Sequence, residues 1–315
     1  MEMLAPEQHL PLVISPNFEG LDIITWAGDH REDLKIRLHS HGAILFRGFK
    51  VRNVSVFEEF LKTISGELLG YPYQSTPRTR ISGNIYTSTE YPAEESIPLH
   101  NELAYSNRWP LKLGFFCSEP AERGGETPLA DSRKVYERIP QEIKDRFIAE
   151  KILYVRNYSD GLDLPWQTVF QSTDKVKVED YCHSNGIEFE WREGGGLRTR
   201  QICQAVARHP YTGDLIWFNQ AHLFHISSLN PSARQNLRSI LREDELPRNA
   251  YYGDGAPIED SVLECIRRAY QQETVLFPWR QNDLMVLDNM LTAHGRRPYV
   301  GPRRVLVGMA EHYGP

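Results

Sequence analysis

The sequence predicts a mainly β protein with flanking helices, a single domain over residues 1–315 whose β-core is interrupted by a long, partly helical insertion. Short apolar runs bounded by glycine, proline or polar residues recur near both ends of the chain, the pattern of buried strands. Between them, from about residue 151 to 272, strand-like runs alternate with two amphipathic helical patterns. With 315 residues and 40 % hydrophobic content the chain can bury a substantial core, and no internal repeat, low-complexity tract or linker divides it.

Taken in order, Gly42-Ala-Ile-Leu-Phe-Arg-Gly48 is too short for a helix and reads as a buried strand. A helix follows, because Phe57, Phe60, Leu61, Ile64 and Leu68 recur at helical spacing, with Ser55 and Glu58 placed as a capping box. Ile85-Tyr-Thr87 is β-like and leads through a loop punctuated by Pro92 and Pro98 to Leu99-His-Asn-Glu-Leu103. Leu113-Gly-Phe-Phe-Cys117 reads as another buried strand, Glu122-Arg-Gly-Gly-Glu126 as a turn before Thr127, and Pro140 as the first position of a helix carrying Ile143 and Phe147. In the insertion, Ile152-Leu-Tyr-Val155 and Leu215-Ile-Trp-Phe218 are strand signals, and residues 232–241 and 261–270 are helical. Gly194-Gly-Gly196 lacks the spacing and setting of a phosphate cradle and reads as a loop. Beyond Val275-Leu-Phe277, strands over 283–288 and 304–310 flank His294.

A net charge of -6 and a pI near 6.0 give no reason to expect nucleic acid or an anionic membrane as partner. Cys117, Cys182, Cys203 and Cys265 lie far apart, without the paired spacing of zinc sites or redox dithiols, and are expected to be reduced and buried. The first ten residues lack a basic start and continuous apolar core, and no apolar run is long enough to span a bilayer, so the expected location is the cytoplasm.

The chemistry concentrates in three residues. Side chains two apart on a strand share a face, so His100 and Glu102 can offer a nitrogen and an oxygen to one ion, and a folded sheet can bring His294 beside them. Two imidazoles and one carboxylate suit non-heme Fe(II) with open positions for a cosubstrate and oxygen; they also suit catalytic zinc in a hydrolase. Ten residues after His294, Arg304 begins a strand, where its guanidinium could pair with a carboxylate near the metal.

Leu99-His-Asn-Glu-Leu103, Trp109-Pro-Leu-Lys-Leu-Gly-Phe-Phe-Cys117, Gly124-Gly-Glu-Thr-Pro128, Phe218-Asn-Gln-Ala-His222 and the segment 294–304 together resemble the TauD/TfdA (taurine dioxygenase) family of Fe(II)- and 2-oxoglutarate-dependent oxygenases. The resemblance implies a double-stranded β-helix, or distorted jelly-roll, with His100, Glu102 and His294 holding iron. It implies that Thr127 and Arg304 hold the C5 carboxylate of 2-oxoglutarate, Arg303 being the alternative should the register differ by one. No catalytic side chain beyond the iron ligands is required. The expected activity is hydroxylation of an aliphatic C–H of an amino acid or amino-acid-derived metabolite, with O2 as cosubstrate and release of succinate and CO2. Desaturation, cyclisation or epimerisation are alternatives on the same cofactors, and a noncatalytic jelly-roll binding protein is another.

Two departures bear on the substrate. Glu102 stands where the family more often has Asp, as in relatives resembling clavaminate synthase and the amino-acid β-hydroxylases of nonribosomal peptide pathways. The retained carboxylate argues against a halogenase and for a place in natural-product biosynthesis. Gly308, four residues beyond Arg304, replaces the arginine with which taurine enzymes bind sulfonate. Some of these relatives use substrates presented by a carrier protein, so such a partner stays open, as does the oligomeric state. Asn219, Tyr86 and Arg80, with Thr87, are candidate substrate contacts against a core or surface role. His222 and His225 read as structural hydrogen-bonding residues, Asp288 as either the partner of a ligand imidazole or a turn cap, and Trp109 and Trp217 as packing residues.

Overall fold

Strands from the two ends of the chain pair side by side, and this pairing positions everything that follows. The computed structural model describes residues 9–71, 73, 76, 78–158 and 163–314. Its seven-stranded sheet runs in the order Leu12–Ile14, Ala43–Phe46, Leu284–Asp288, Trp109–Glu119, Arg304–Tyr313, Ile85–Thr87 and Arg80–Ser82. Leu287 lies opposite Leu113, and Val307 opposite Phe115.

Both faces of this sheet are covered, which explains apolar runs without alternation. Leu284, Val286, Leu306 and Phe116 pack against residues of the helices Ile23–Asp29, Arg31–His41 and Val54–Ser65. Met285, Leu287, Val305, Val307, Leu113 and Phe115 fill the core on the opposite face. Helix Val54–Ser65 buries the predicted stripe of Phe57, Phe60, Leu61 and Ile64. Its cap differs from the expectation: the Asn53 side chain accepts the Val56 N–H at 3.0 Å, so Asn53 precedes the helix and Ser55 lies within its first turn. Pro140 likewise stands one position ahead of helix Gln141–Glu150.

Leu61 reaches over Gly114 and Gly308, which face each other in the register; a Cβ on Gly308 would approach Leu61 Cδ1 to 2.7 Å. Gly114→Ala is therefore expected to cost about 1–3 kcal/mol through overpacking. The check is the urea midpoint, which should fall and be partly recovered by adding Leu61→Ala; an unchanged midpoint would show that Leu61 moves aside freely.

A three-stranded antiparallel sheet, Ile97–His100, Thr292–Arg296 and Leu129–Asp131, contributes Leu129 to the core on the second face of the large sheet. The two sheets make the distorted jelly-roll. The insertion builds a four-stranded sheet in the order Glu188–Trp191, Leu197–Cys203, Ile152–Tyr158 and Arg248–Tyr252, with helices Pro231–Ile240 and Asp260–Gln272 close to the predicted positions. Its inner residues Ile152, Tyr154 and Tyr158 share one aromatic-rich core with Leu99, Tyr105, Phe224 and Ala293. The insertion thus lies against the strands that carry His100 and His294. Trp109 and Trp217 pack on Phe218 and Phe147, and all four cysteines are free, with Cys265 alone partly exposed. No helix among the described residues is long and apolar enough to cross a membrane.

Candidate metal centre and cosubstrate cleft

Strand Ile97–His100 ends at His100, and Glu102 follows in a turn where Leu103 takes a φ of 57°. This corrects the expectation that both residues share one strand face. An asparagine holds the turn in place of strand pairing. Asn289 Oδ1 accepts the Glu102 N–H at 2.7 Å, while its Nδ2 donates to Glu102 O and Pro110 O, each at 2.9 Å. Asn101 Nδ2 answers by donating to Asn289 O at 2.7 Å, and Gln220 Nε2 donates to Asn101 O at 2.7 Å. These amide-to-backbone bonds brace the segment from three sides, with Asn101 Oδ1 left without a partner among the described residues. Asp288 caps the turn that presents Asn289, its Oδ1 accepting the N–H groups of Met290 and Leu291 at 2.9 and 3.0 Å.

His294 lies directly opposite His100 in the antiparallel pair, their ring centroids 4.5 Å apart. The ligand atoms of His100, Glu102 and His294 all fall within 4.8 Å of one another. His100 Nδ1 donates to Pro98 O at 2.9 Å, which leaves Nε2 free to ligate, and His294 Nδ1 is buried without a hydrogen-bond partner among the described residues. Burial lowers the pKa of both imidazoles, that of His294 further through His100, so both are neutral and competent to bind a metal. Burial works against the Glu102 charge, but the Arg78 charge, with hydrogen bonds from Arg78 and Tyr71, outweighs it and holds the carboxyl below its ordinary range. Arg78 Nη2 donates to Glu102 Oε2 at 2.6 Å and Tyr71 Oη to Oε1 at 3.0 Å. Two neutral imidazoles and a charged carboxylate, converging in a buried site, fit Fe(II).

A second group, His39, His209 and Asp288, also lies within 4.8 Å. Two of its three donors are already engaged with each other: Asp288 Oδ2 takes His209 Nε2 at 3.0 Å, and His209 Nδ1 accepts the Thr212 N–H at 3.1 Å, which puts the ring proton on Nε2. His222 and His225 do not converge on a site. His222 Nε2 bonds Leu99 O at 3.1 Å, bracing the strand next to His100, and His225 Nδ1 accepts the Ser227 N–H at 3.1 Å.

A cleft lined by His100 and His294 opens at the donors, with Arg78, Ser88, Thr89, Thr127 and Arg303 on its walls. Gly124 and Gly125 have φ of +71° and +72°, a left-handed pair that side chains rarely adopt, and a Cβ on Gly125 would meet Arg303 Cδ at 3.0 Å. The turn they form brings Thr127 in beside Arg303, whose Nε donates to Gly125 O at 3.0 Å. Thr127 Oγ1 accepts the Trp279 Nε1–H at 2.9 Å, so its own proton is free for a ligand. Arg303 has no carboxylate partner among the described residues, and burial, followed by the charge of Arg296, pulls its pKa down to about 10.

Arg304 is not in the cleft. It is exposed, while Arg303 and Val305 line the cavity, so the expected register is corrected by one residue. The pairing with Trp109–Glu119 shifts between Arg304 and Val305, and from there alternation directs Val305 and Val307 to the inner core. The substrate candidates move too. Arg80 is exposed and bonds Gly83 O; Tyr86 is buried and packs on Tyr71; Thr87 Oγ1 binds Glu90. Asn219 is fully buried, with Nδ2 on Ala205 O at 2.8 Å and Oδ1 accepting the Ala221 N–H at 3.1 Å. Arg78, Tyr71, Asn289 and Trp279 were not singled out from sequence. Only Asn289 had a readable signal, as the second residue of an Asp-Asn pair closing an apolar strand.

The family model for taurine catabolism dioxygenase TauD, TfdA family, matches residues 8–310. A dapdiamide synthesis protein, DdaC, of Enterobacter agglomerans is 41 % identical over 278 residues, covering 88 % of this chain and 84 % of that protein. A clavaminate synthase-like protein of Arabidopsis thaliana is 31 % identical, covering 87 % and 83 %. Among solved structures, PvcB of Pseudomonas aeruginosa superposes with a TM-score of 0.56 at 17 % identity, covering 94 % of this chain and 84 % of that one. AAD-2 with Mn(II) and N-oxalylglycine superposes with a TM-score of 0.55 at 13 % identity, covering 96 % and 95 %. The chain therefore belongs to the TauD/TfdA family, and it is a dioxygenase that uses Fe(II) and 2-oxoglutarate.

Proposed function

We propose that the protein hydroxylates an aliphatic C–H of an amino acid or amino-acid-derived metabolite. His100, Glu102 and His294 hold the iron, and Thr127 and Arg303 hold the distal carboxylate of 2-oxoglutarate. The observation that carries this is the convergence of three metal donors beside a cleft in which the half-buried Arg303 guanidinium has no carboxylate partner among the described residues. When bound, iron with 2-oxoglutarate would supply the oxidising power.

The side chains of this chain do the positioning. Asn289 fixes the turn bearing Glu102, Tyr71 and Arg78 orient its carboxylate, and Pro98 O fixes the His100 ring. Arg303 offers Nη1 and Nη2 to an incoming carboxylate as a planar fork, and Thr127 adds a hydroxyl donor. With Arg303 as anchor, the position four residues on is Val307, which is buried. No arginine stands there for a sulfonate. Similarity to a protein of dapdiamide synthesis supports a biosynthetic setting.

The test is a screen of free and carrier-bound amino acids for succinate release that requires Fe(II) and 2-oxoglutarate, with product mass. A gain of one oxygen is the expected outcome. Loss of two hydrogens would replace hydroxylation by desaturation or cyclisation, and unchanged mass with inverted configuration by epimerisation.

A further inference from the structure

The insertion carries a buried cation that the metal centre leaves unused. Arg156, on strand Ile152–Tyr158, is 2 % exposed, yet none of its three side-chain nitrogens has a hydrogen-bond partner among the described residues. Asp163 lies 3.7 Å from Nη2, beyond hydrogen-bond range. Its oxygens are engaged elsewhere, by Arg248 at 2.5 and 3.1 Å and by the Leu164 N–H at 2.8 Å. Around the guanidinium stand the rings of Tyr158, 4.8 Å away, and Tyr73, 5.7 Å away. Five N–H donors thus face phenol rings and a carboxylate already shared. A buried charge in this condition destabilises the fold unless something else pairs with it.

Its position says what that partner serves. Alternation puts Arg156 on the face of Ile152, Tyr154 and Tyr158, the face that shares a core with Leu99 and Ala293, the chain neighbours of His100 and His294. Tyr105 Oη donates to Tyr73 O at 3.3 Å, linking the wall of Arg156 to the segment just after Glu102. Arg156 therefore lies on the inner face of the insertion's sheet, the face whose core is shared with the metal-bearing strands, whereas Arg303 lines the cleft from the strand after His294.

We infer that Arg156 anchors a second anion subsite, one that takes the carboxylate of the organic substrate and orients that molecule toward the metal. A planar fork matches a carboxylate with two parallel hydrogen bonds, and one unshared guanidinium among phenols balances a single negative charge better than the double charge of a phosphate. The inference rests on the proposed function and narrows its substrate to molecules with a free carboxylate.

The experiment uses the protein loaded with Mn(II) and saturated with 2-oxoglutarate, so that Arg303 is occupied, and sodium acetate as the probe against sodium chloride at equal ionic strength. Thermal midpoints are compared for the wild type, Arg156→Met and Arg156→Lys. In chloride, Arg156→Met should melt no lower than the wild type, because a buried guanidinium that makes no hydrogen bond among the described residues is removed while Asp163 keeps its bonds to Arg248. A drop of several degrees, or a chain that does not fold, would give Arg156 a structural role beside Asp163 and overturn the inference. In acetate, the wild-type midpoint should rise by about 2 °C or more, Arg156→Met should not respond, and Arg156→Lys should need about tenfold more acetate for the same rise. No rise in the wild type, or an equal rise in the variants, overturns the subsite. A failure of the cofactor assignment shows separately, as 2-oxoglutarate leaving the midpoint of the Mn(II) protein unchanged.

Discussion

Replacing His294 by alanine is expected to abolish succinate release and to weaken metal binding by more than about 100-fold, the upper end of what losing only an outer partner of a ligand does. The ring lies between His100 and Phe115 with its Nδ1 unpartnered among the described residues, so its removal takes away a donor and little hydrogen bonding. His100→Ala should behave alike. Glu102 needs a gentler change, because alanine would leave Arg78 buried beside no carboxylate, a loss of about 3–5 kcal/mol that would mix unfolding with loss of metal. Glu102→Gln keeps the shape and removes the charge. Calorimetric titration with Mn(II), beside circular dichroism as a check of fold, separates the two effects. Wild-type metal affinity in any of these variants would remove that residue from the centre.

Arg303→Met is expected to raise the dissociation constant of 2-oxoglutarate on the Mn(II) protein by about tenfold to a hundredfold, the value of one bidentate, charge-assisted pair. Arg304→Met should stay within about twofold of the wild type, since its side chain points to solvent. The opposite result would restore the register expected from sequence and move the anchor out of the cleft. Because Arg303 is half-buried and has no carboxylate partner among the described residues, its replacement should not lower the thermal midpoint of the cofactor-free protein, which distinguishes a ligand anchor from a structural ion pair.

Comparing expectation with structure, the strands were legible wherever both faces of the large sheet are covered, because continuous apolar runs such as Leu284–Asp288 are their direct consequence. The helix over Val54–Ser65 was legible from its stripe, but its cap was not, since Asn53 and Ser55 are both competent and only the entry of the chain chooses between them. The three donor residues were legible as residue types in order. Their geometry was not: the turn at Glu102 depends on Asn289, 187 residues away. Arg78 carried no sequence signal, because nothing local to that irregular segment says which side chain turns inward. Asn219 looked like a ligand contact because buried polar residues in motifs serve backbone and substrate alike.

From its sequence alone, this protein is determined to be a β-rich domain with an insertion, carrying two histidines, a carboxylate, a threonine after a Gly-Gly turn and an Arg-Arg pair in one order. Those properties are local or compositional, and periodicity and residue chemistry report them directly. Tertiary structure alone decided that Arg303 rather than Arg304 faces the cleft, that Arg78 holds Glu102, and that Arg156 is buried without a hydrogen-bond partner among the described residues. Each depends on a register shift or on packing between segments far apart in the chain. A one-residue shift reverses which side chain points inward without changing the residue types that the sequence displays.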